Sequence, residues 1–327
     1  MKTLIPHLLS TALLISATAL AAPPHGELLG PGTLSTGVQE TSAALTPDGN
    51  TLYFMRSDFS EEDATILLSH RHDRHWSTPQ VAPFSGQWRD SEPALSPDGK
   101  RLYFVSNRPL RPSGKPLTMQ MFGRTYPGTN LWYVEQGADQ RWSAPVHVDG
   151  ALNDGNMLYN PSVAANGDLY FSAHRDDSGR IYQLYVARRS ANGHAAPERI
   201  DLGDIAHNRM DPAIDPQQRF LVYAGNEGDS LGGADLYIAF RKPDGHWGKP
   251  VHLAAGINSS AVENAPALGR RFGELFVASN RRDPVRFPHP DDARAALDQR
   301  LTQPLNGSRN LWRFDITDVL RAHGITP

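Results

Sequence analysis

Five segments of this chain read alike, and that repetition constrains the fold more than any other feature. They are SAALTPDGNTLYFMRS from Ser42, EPALSPDGKRLYFVSNR from Glu92, NPSVAANGDLYFSAHR from Asn160, DPAIDPQQRFLVYAGNE from Asp211 and APALGRRFGELFVASNR from Ala265. With Ala43, Pro93, Pro161, Pro212 and Pro266 taken as equivalent, successive copies lie 50, 68, 51 and 54 residues apart. A period of about 50 residues is the length of one four-stranded propeller blade. Such a unit cannot bury its apolar faces alone, so the copies must stack on one another.

Each copy divides into four strands. The first is short and apolar, as at Ala44-Leu45 and Ala94-Leu95. A Pro-Asp-Gly turn follows in the first two units. Proline presets φ there, and glycine takes the left-handed position that a Cβ would resist. The second strand is apolar on both faces, with Leu52 and Phe54 against Tyr53 and Met55, as a strand between neighbouring blades requires. Third strands are read at 131–134, 184–186, 236–238 and 311–314. Fourth strands are expected to open on Trp-x-x-Pro units at Trp76, Trp142 and Trp247, with the proline on an outer edge where a missing N–H is harmless.

The fifth unit has no fourth strand after Phe314, whereas the N-terminal stretch from Glu27 to Leu34 has no blade of its own. The run Leu34 to Glu40 aligns with Ile257 to Glu263 once one gap is allowed. The expected fold is therefore all-β: a five-bladed β-propeller of four-stranded antiparallel blades, closed by pairing of the N- and C-terminal segments. A count of six is the alternative, with a degenerate unit within residues 285–327.

The string from Glu92 to Arg108 resembles the WD40-like repeat of TolB-type propellers, and the likeness runs over the whole repeat region. It implies the propeller fold and a role as a protein-interaction platform in the periplasm or cell envelope. TolB carries an N-terminal α/β domain before a six-bladed propeller. Here the repeats start close to the N-terminus, so a propeller without that domain is expected.

Residues 1–21 read as a secretory signal peptide: Lys2, an apolar run from Leu8 to Leu20, then Ala19-Leu20-Ala21 with cleavage after Ala21. The run is too short for a comfortable membrane span, and none is expected in the mature chain. Residues 22–327 are read as a single propeller domain with insertions at 109–129 and 282–308. The chain has no cysteine, which excludes disulfides, thiol catalysis and Cys-ligated zinc. A formal charge of −3 gives no reason to expect nucleic acid. A periplasmic or secreted monomer is the expectation.

Propeller geometry places candidate site residues at the mouth of the central channel, where the first strands begin. Equivalent positions there are Glu40, Asp90, Arg209 and Glu263. Two residues further on stand Glu92, Asn160 and Asp211, with Ser42 and Ala265 in the other units. Both insertions fall on the same face, and the second contains a helix-like piece from Asp291 to Arg300. Trp88, with Phe122, Tyr126 and Tyr159, is read as an aromatic rim. Arg56, Arg108, Arg175 and Arg281 end the second strands on that face and are candidate partners for the acids.

The expected function is non-catalytic binding of an envelope protein or a glycan through this face. The competing reading is a glycosidase-like enzyme using a carboxyl pair from Asp90, Glu92, Asp211 and Glu263, which needs an acid and a second carboxylate about 5–9.5 Å apart. No cofactor is needed for the fold, although the channel oxygens are of the kind Ca²⁺ takes. His70 and His72 share a strand face in a pattern that suits Zn²⁺, yet they fall in an exposed hairpin, where a solvated turn is expected. No Gly-rich phosphate loop, Gly-x-Ser-x-Gly elbow or His-Glu-x-x-His motif is present.

Overall fold

The computed structural model describes residues 26–121, 123–178, 181–284 and 291–327. The signal segment read at 1–21 lies outside them. Among the described residues, five antiparallel sheets form the blades of a propeller. Their inner strands are Gln39–Leu45, Asp90–Leu95, Leu158–Val163, Arg209–Ile214 and Glu263–Leu268. Two further strands follow outward in each blade, and a two-residue strand forms the rim.

Closure occurs in blade 5. Its outer strand is Glu27–Leu28, which pairs with Asn310–Asp315 in the register Glu27↔Arg313 and Leu28↔Trp312. The N-terminal stretch thus completes the sheet begun at the other end of the chain, and the six-blade alternative is set aside. Blade 1 then starts at Gln39, directly after this strand and its loop.

The core is divided as the two-sided apolar strands dictate. Five clusters of buried side chains each lie between adjacent blades. Between blades 1 and 2, for example, Tyr53 and Ile66 meet Phe84, Phe104 and Trp132. Between blades 5 and 1, Phe276 and Leu311 meet Leu34, Leu52 and Phe54. Burying one Leu or Phe side chain contributes about 1.5–3 kcal/mol, so each interface is held mainly by this apolar layer.

The Trp-x-x-Pro units differ from the reading above. Trp76 pairs back onto the third strand opposite Arg71, and Trp142 and Trp247 bridge to Gln136 and Arg241. The rim strands Gln80–Val81, Val146–His147 and Val251–His252 begin only after Pro79, Pro145 and Pro250. The tryptophan closes the hairpin, and the proline redirects the chain before pairing resumes. Trp142 packs edge-on against Tyr53 and Phe84 and donates its indole N–H to the Tyr53 hydroxyl at 2.9 Å.

One irregularity recurs in all five inner strands. The register shifts between Thr41 and Ala44, Ser91 and Ala94, Tyr159 and Ser162, Met210 and Ala213, and Asn264 and Ala267. Within each bulge one residue takes positive φ: Ser42 at 55°, Glu92 at 56°, Asn160 at 45°, Asp211 at 56° and Ala265 at 46°. A non-glycine residue there costs about 1–2 kcal/mol. The next residue is proline in four of the five, which suits a bulge because it leaves no N–H unpaired.

Candidate functional site

The outer ring of acids is neutralised inside its own blades. Glu40 accepts from Arg56 Nε at 3.1 Å, from the Thr36 N–H at 2.9 Å and from Asn310 Nδ2 at 3.1 Å. Glu263 repeats the arrangement with Arg281 Nε at 3.1 Å and the Ser259 N–H at 2.9 Å. Asp90 meets Arg108 at 2.6 Å, and the same guanidinium also donates to the Phe84 carbonyl at 3.1 Å. In blade 4 the signs are exchanged, with Arg209 donating to Glu227 at 2.7 Å. Blade 3 carries Leu158 at this position, and Arg175 donates to the Ala151 carbonyl at 3.2 Å instead. Burial pushes the Glu40 and Asp90 carboxyls up, against the pull of these hydrogen bonds and arginines. These groups join the second strand and the incoming loop to the inner strand.

The five left-handed residues form a second, inner ring that crosses between blades. Glu92 of blade 2 accepts the Asn160 N–H of blade 3 at 2.6 Å. Asn160 Nδ2 donates to Asp211 of blade 4 at 2.6 Å, and Asp211 accepts the Ala265 N–H of blade 5 at 3.0 Å. Ser42 of blade 1 reaches Asn160 Oδ1 at 3.4 Å. The bulge turns the Asn160 and Ala265 N–H groups and the Glu92, Asn160 and Asp211 side chains towards this ring, whereas the Asp211 N–H donates to Ser172 Oγ at 3.4 Å.

No arginine or lysine among the described residues forms an ion pair with Glu92 or Asp211. Arg89 is occupied by the Glu61 carbonyl at 2.7 Å and by Ser91, while Arg309 pairs with the Glu61 carboxylate. Glu92 is 7 % exposed, and its Oε1 accepts from no donor among the described residues. Burial pushes its carboxyl from 4.5 up to about 8, with the Asn160 N–H and Arg89 pulling back and Asp211 and Glu61 adding to the rise. Burial likewise lifts Asp211 to about 6.

Below this ring lies a cavity of about 120 Å³, walled by Pro93, Pro161, Pro212 and Pro266. Its far end is spanned by Arg270, which stands where blades 1 and 2 carry the turn prolines Pro47 and Pro97. Arg270 donates to the Leu45 carbonyl from Nε at 2.9 Å and Nη2 at 2.7 Å, and to the Pro97 carbonyl at 3.4 Å.

Above the ring stands an aromatic and thioether wall. Tyr159 and Tyr182 meet edge to face, with centroids 5.6 Å apart. Their hydroxyls point at Met119 Sδ at 3.2 Å and Met121 Sδ at 3.7 Å. Both methionines sit on the hairpin of Thr118–Met121 and Arg124–Pro127, which the 109–129 insertion builds. Burial raises both phenol groups, and the negative charge of Glu92 adds to each. Of the aromatic rim read from sequence, Tyr159 is thus in the wall, Tyr126 and Trp88 are half-buried, and Phe122 lies outside the described residues.

The second insertion does different work. Its helix Ala293–Thr302 is capped by Asp292, which accepts the Ala295 N–H at 3.2 Å. The helix end lies so close to Gly37 that a Cβ there would collide with the Leu301 carbonyl oxygen. The stretch after the helix fastens blade 5 to blade 1: Asn306 and Ser308 donate to the Gly37 carbonyl at 2.9 and 3.0 Å, and the Arg309 N–H donates to Gln39 Oε1 at 2.8 Å.

Exposed large apolar side chains among the described residues fall in two places. Val81, Val146 and Val251 are on rim strands. Val38, Phe59, Leu110, Ile205 and Leu231, with Leu297 and Leu301 of the helix, all lie in loops or insertions of the mouth face. Phe59 is 81 % exposed. His70 and His72 lie in the hairpin of blade 1, and no group of three or more His, Asp or Glu side chains among the described residues is arranged to hold a metal.

The sequence reading singled out the residues of both rings, as one ring at the channel mouth, but not Tyr182, Met119, Met121, Glu61 or Arg309. A Met-x-Met pair within an inserted segment was the available signal for the wall.

No protein-family model and no curated protein sequence matches the chain. Solved structures do. α-L-arabinofuranosidase from Lactobacillus brevis shares 11 % identity over 87 % of this chain and 92 % of that one, with a TM-score of 0.56. A thermostable family-43 glycoside hydrolase gives 12 %, 84 %, 88 % and 0.51 for the same quantities. TolB from Acinetobacter baumannii gives 13 % identity and a TM-score of 0.44, and the chain spans 54 % of its length. At such identities the likeness is one of fold. Propellers that bear a TolB name and propellers that are glycoside hydrolases both stand among these structures. No helix among the described residues is long and apolar enough to cross a membrane.

Proposed function

We propose that this propeller is an exported binding protein, active as a monomer without a cofactor. It takes a protein or glycan partner on its mouth face. One observation carries the reading: the acids that a catalytic pair would draw on are committed to holding the fold. Glu40, Asp90 and Glu263 are neutralised by arginines in their own blades. Asp211 and one oxygen of Glu92 are tied to backbone N–H groups of the next blade. A general acid and base must instead reach a substrate oxygen and a water. Around these acids the same face gathers the exposed apolar side chains and the Tyr–Met wall, the composition of a surface that meets a partner.

The test is affinity capture from envelope extract with the full chain, in parallel with a variant whose 109–129 insertion is replaced by a short turn. The expected result is a partner retained by wild type and lost by the variant. Equal recovery removes the insertion from the binding surface. Turnover on a glycan panel that Glu92→Gln or Asp211→Asn abolishes overturns the non-catalytic reading in favour of a glycosidase.

A further inference from the structure

We infer that the channel mouth is a receptor for a single cationic side chain, a guanidinium or ammonium presented by a protein partner. The inference rests on the binding reading and names its chemistry. Each acid of the outer ring has an arginine or other donor in contact, whereas Glu92 and Asp211 have only N–H groups. Glu92 is more than nine-tenths buried and lines the channel cavity, and its Oε1, which accepts from no donor among the described residues, is not one of the side-chain atoms sealed from solvent, so it is the oxygen left open to an incoming group. A charged N–H donor is the partner a carboxyl oxygen so placed gains most from. Near enough for the Glu92 charge to act on both phenols, Tyr159 and Tyr182 stand edge to face at 86°, with Met119 and Met121 against their hydroxyls. Aromatic faces beside carboxylates attract cations in preference to neutral or anionic groups.

The groups facing Glu92 are Asn160 and Tyr159 from blade 3, Tyr182 from the third strand side of that blade, Asp211 from blade 4, Arg89 from its own loop, and the Glu61–Arg309 pair above. Arg89 and Arg309 make the mouth less negative but are held by Glu61 and Ser91, so the incoming cation replaces neither. At neutral pH the Glu92 carboxyl O–H breaks as the cation arrives. The proton passes to buffer, and the carboxylate that remains pairs with the ligand.

The probes are N-acetyl-arginine amide, N-acetyl-lysine amide and the neutral isostere N-acetyl-citrulline amide, titrated into the full chain by calorimetry and followed by NMR line broadening. The expected result is saturable binding of the two cations, with citrulline weaker by roughly tenfold or more. Repeating the arginine titration in buffers of different ionisation enthalpy at pH 7 should show release of up to about one proton, vanishing at pH 9. Glu92→Gln should abolish the release and the preference for charge. Tyr182→Ala, which leaves the ring bonds intact, should weaken both cations should the first variant fail to fold. Equal binding of arginine and citrulline probes, or none of any, overturns the cationic receptor while leaving partner capture by the mouth face standing. Displacement of the probe by millimolar Ca²⁺, with the ion bound in its place, also overturns it and makes the mouth a metal site. Loss of partner capture by wild type itself defeats the binding reading instead.

Discussion

Replacing Glu92 by glutamine should make the protein more stable at alkaline pH, not less. Burial pushes the native carboxyl up to about 8, from 4.5 for the group in its ordinary state. Between those values the native state keeps a proton that the unfolded chain has lost. Stability is therefore fully present below about pH 4.5 and falls as pH rises towards 8, by about 1.4 kcal/mol per unit. Summed over the interval, ionising this buried group costs on the order of 5 kcal/mol, a large share of the roughly 5–15 kcal/mol that holds a typical domain. Glutamine has nearly the same shape, keeps an oxygen for the Asn160 N–H and carries no charge to desolvate. Asp211 contributes its own fall between 3.8 and about 6, but it does so in both proteins. Urea unfolding from pH 5 to pH 9 measures the difference. Wild type should lose midpoint steadily, and Glu92→Gln should lose much less above pH 6, so that the variant is the more stable above pH 8. Parallel pH profiles, or a wild type that gains stability towards pH 9, would refute the claim that Glu92 is held neutral by burial.

Three further outcomes follow from the same geometry. Arg108→Ala leaves Asp90 buried without its 2.6 Å partner, and a fall in stability of about 3–5 kcal/mol is expected in thermal melts. Ala265→Gly should raise stability by several tenths to about 1 kcal/mol, because Ala265 sits at φ 46° and offers no side-chain hydrogen bond to the ring; a loss in urea titration would count against strain at the bulge. Arg270→Met should cost about 1–3 kcal/mol in urea titration, since the Leu45 carbonyl loses both its short contacts; an unchanged midpoint would show that Arg270 is not a tie.

Blade number and closure were legible because repetition reports the unit directly, and Leu34 to Glu40 matched the run before Glu263. Arginine partners for Glu40, Asp90 and Glu263 were legible too, since the end of each second strand must lie beside the start of its first. The bulges were not read from the sequence, although proline inside an apolar inner strand is their signature. Without them Glu92 and Asp211 looked like members of the same ring as Asp90 and Glu263. In fact a left-handed turn aims them across the channel at the next blade. Tyr182 and the Met119–Met121 hairpin were missed for another reason. Their meeting depends on where a long insertion folds back, which no local pattern records. The fourth strands were placed four residues early because tryptophan closes a hairpin as readily as it opens a strand.

The junction where the chain's two ends meet has no peptide bond across it, yet it is fastened at three depths. Glu27–Leu28 zips the periphery, Asn306, Ser308 and Arg309 clasp blade 1 at one face, and Arg270 reaches it through the hub at the other. Fraying of the outermost strand therefore does not by itself let the ring spring open. Continuity of the backbone across that seam matters little to the wheel, because contacts at rim, face and hub carry its closure.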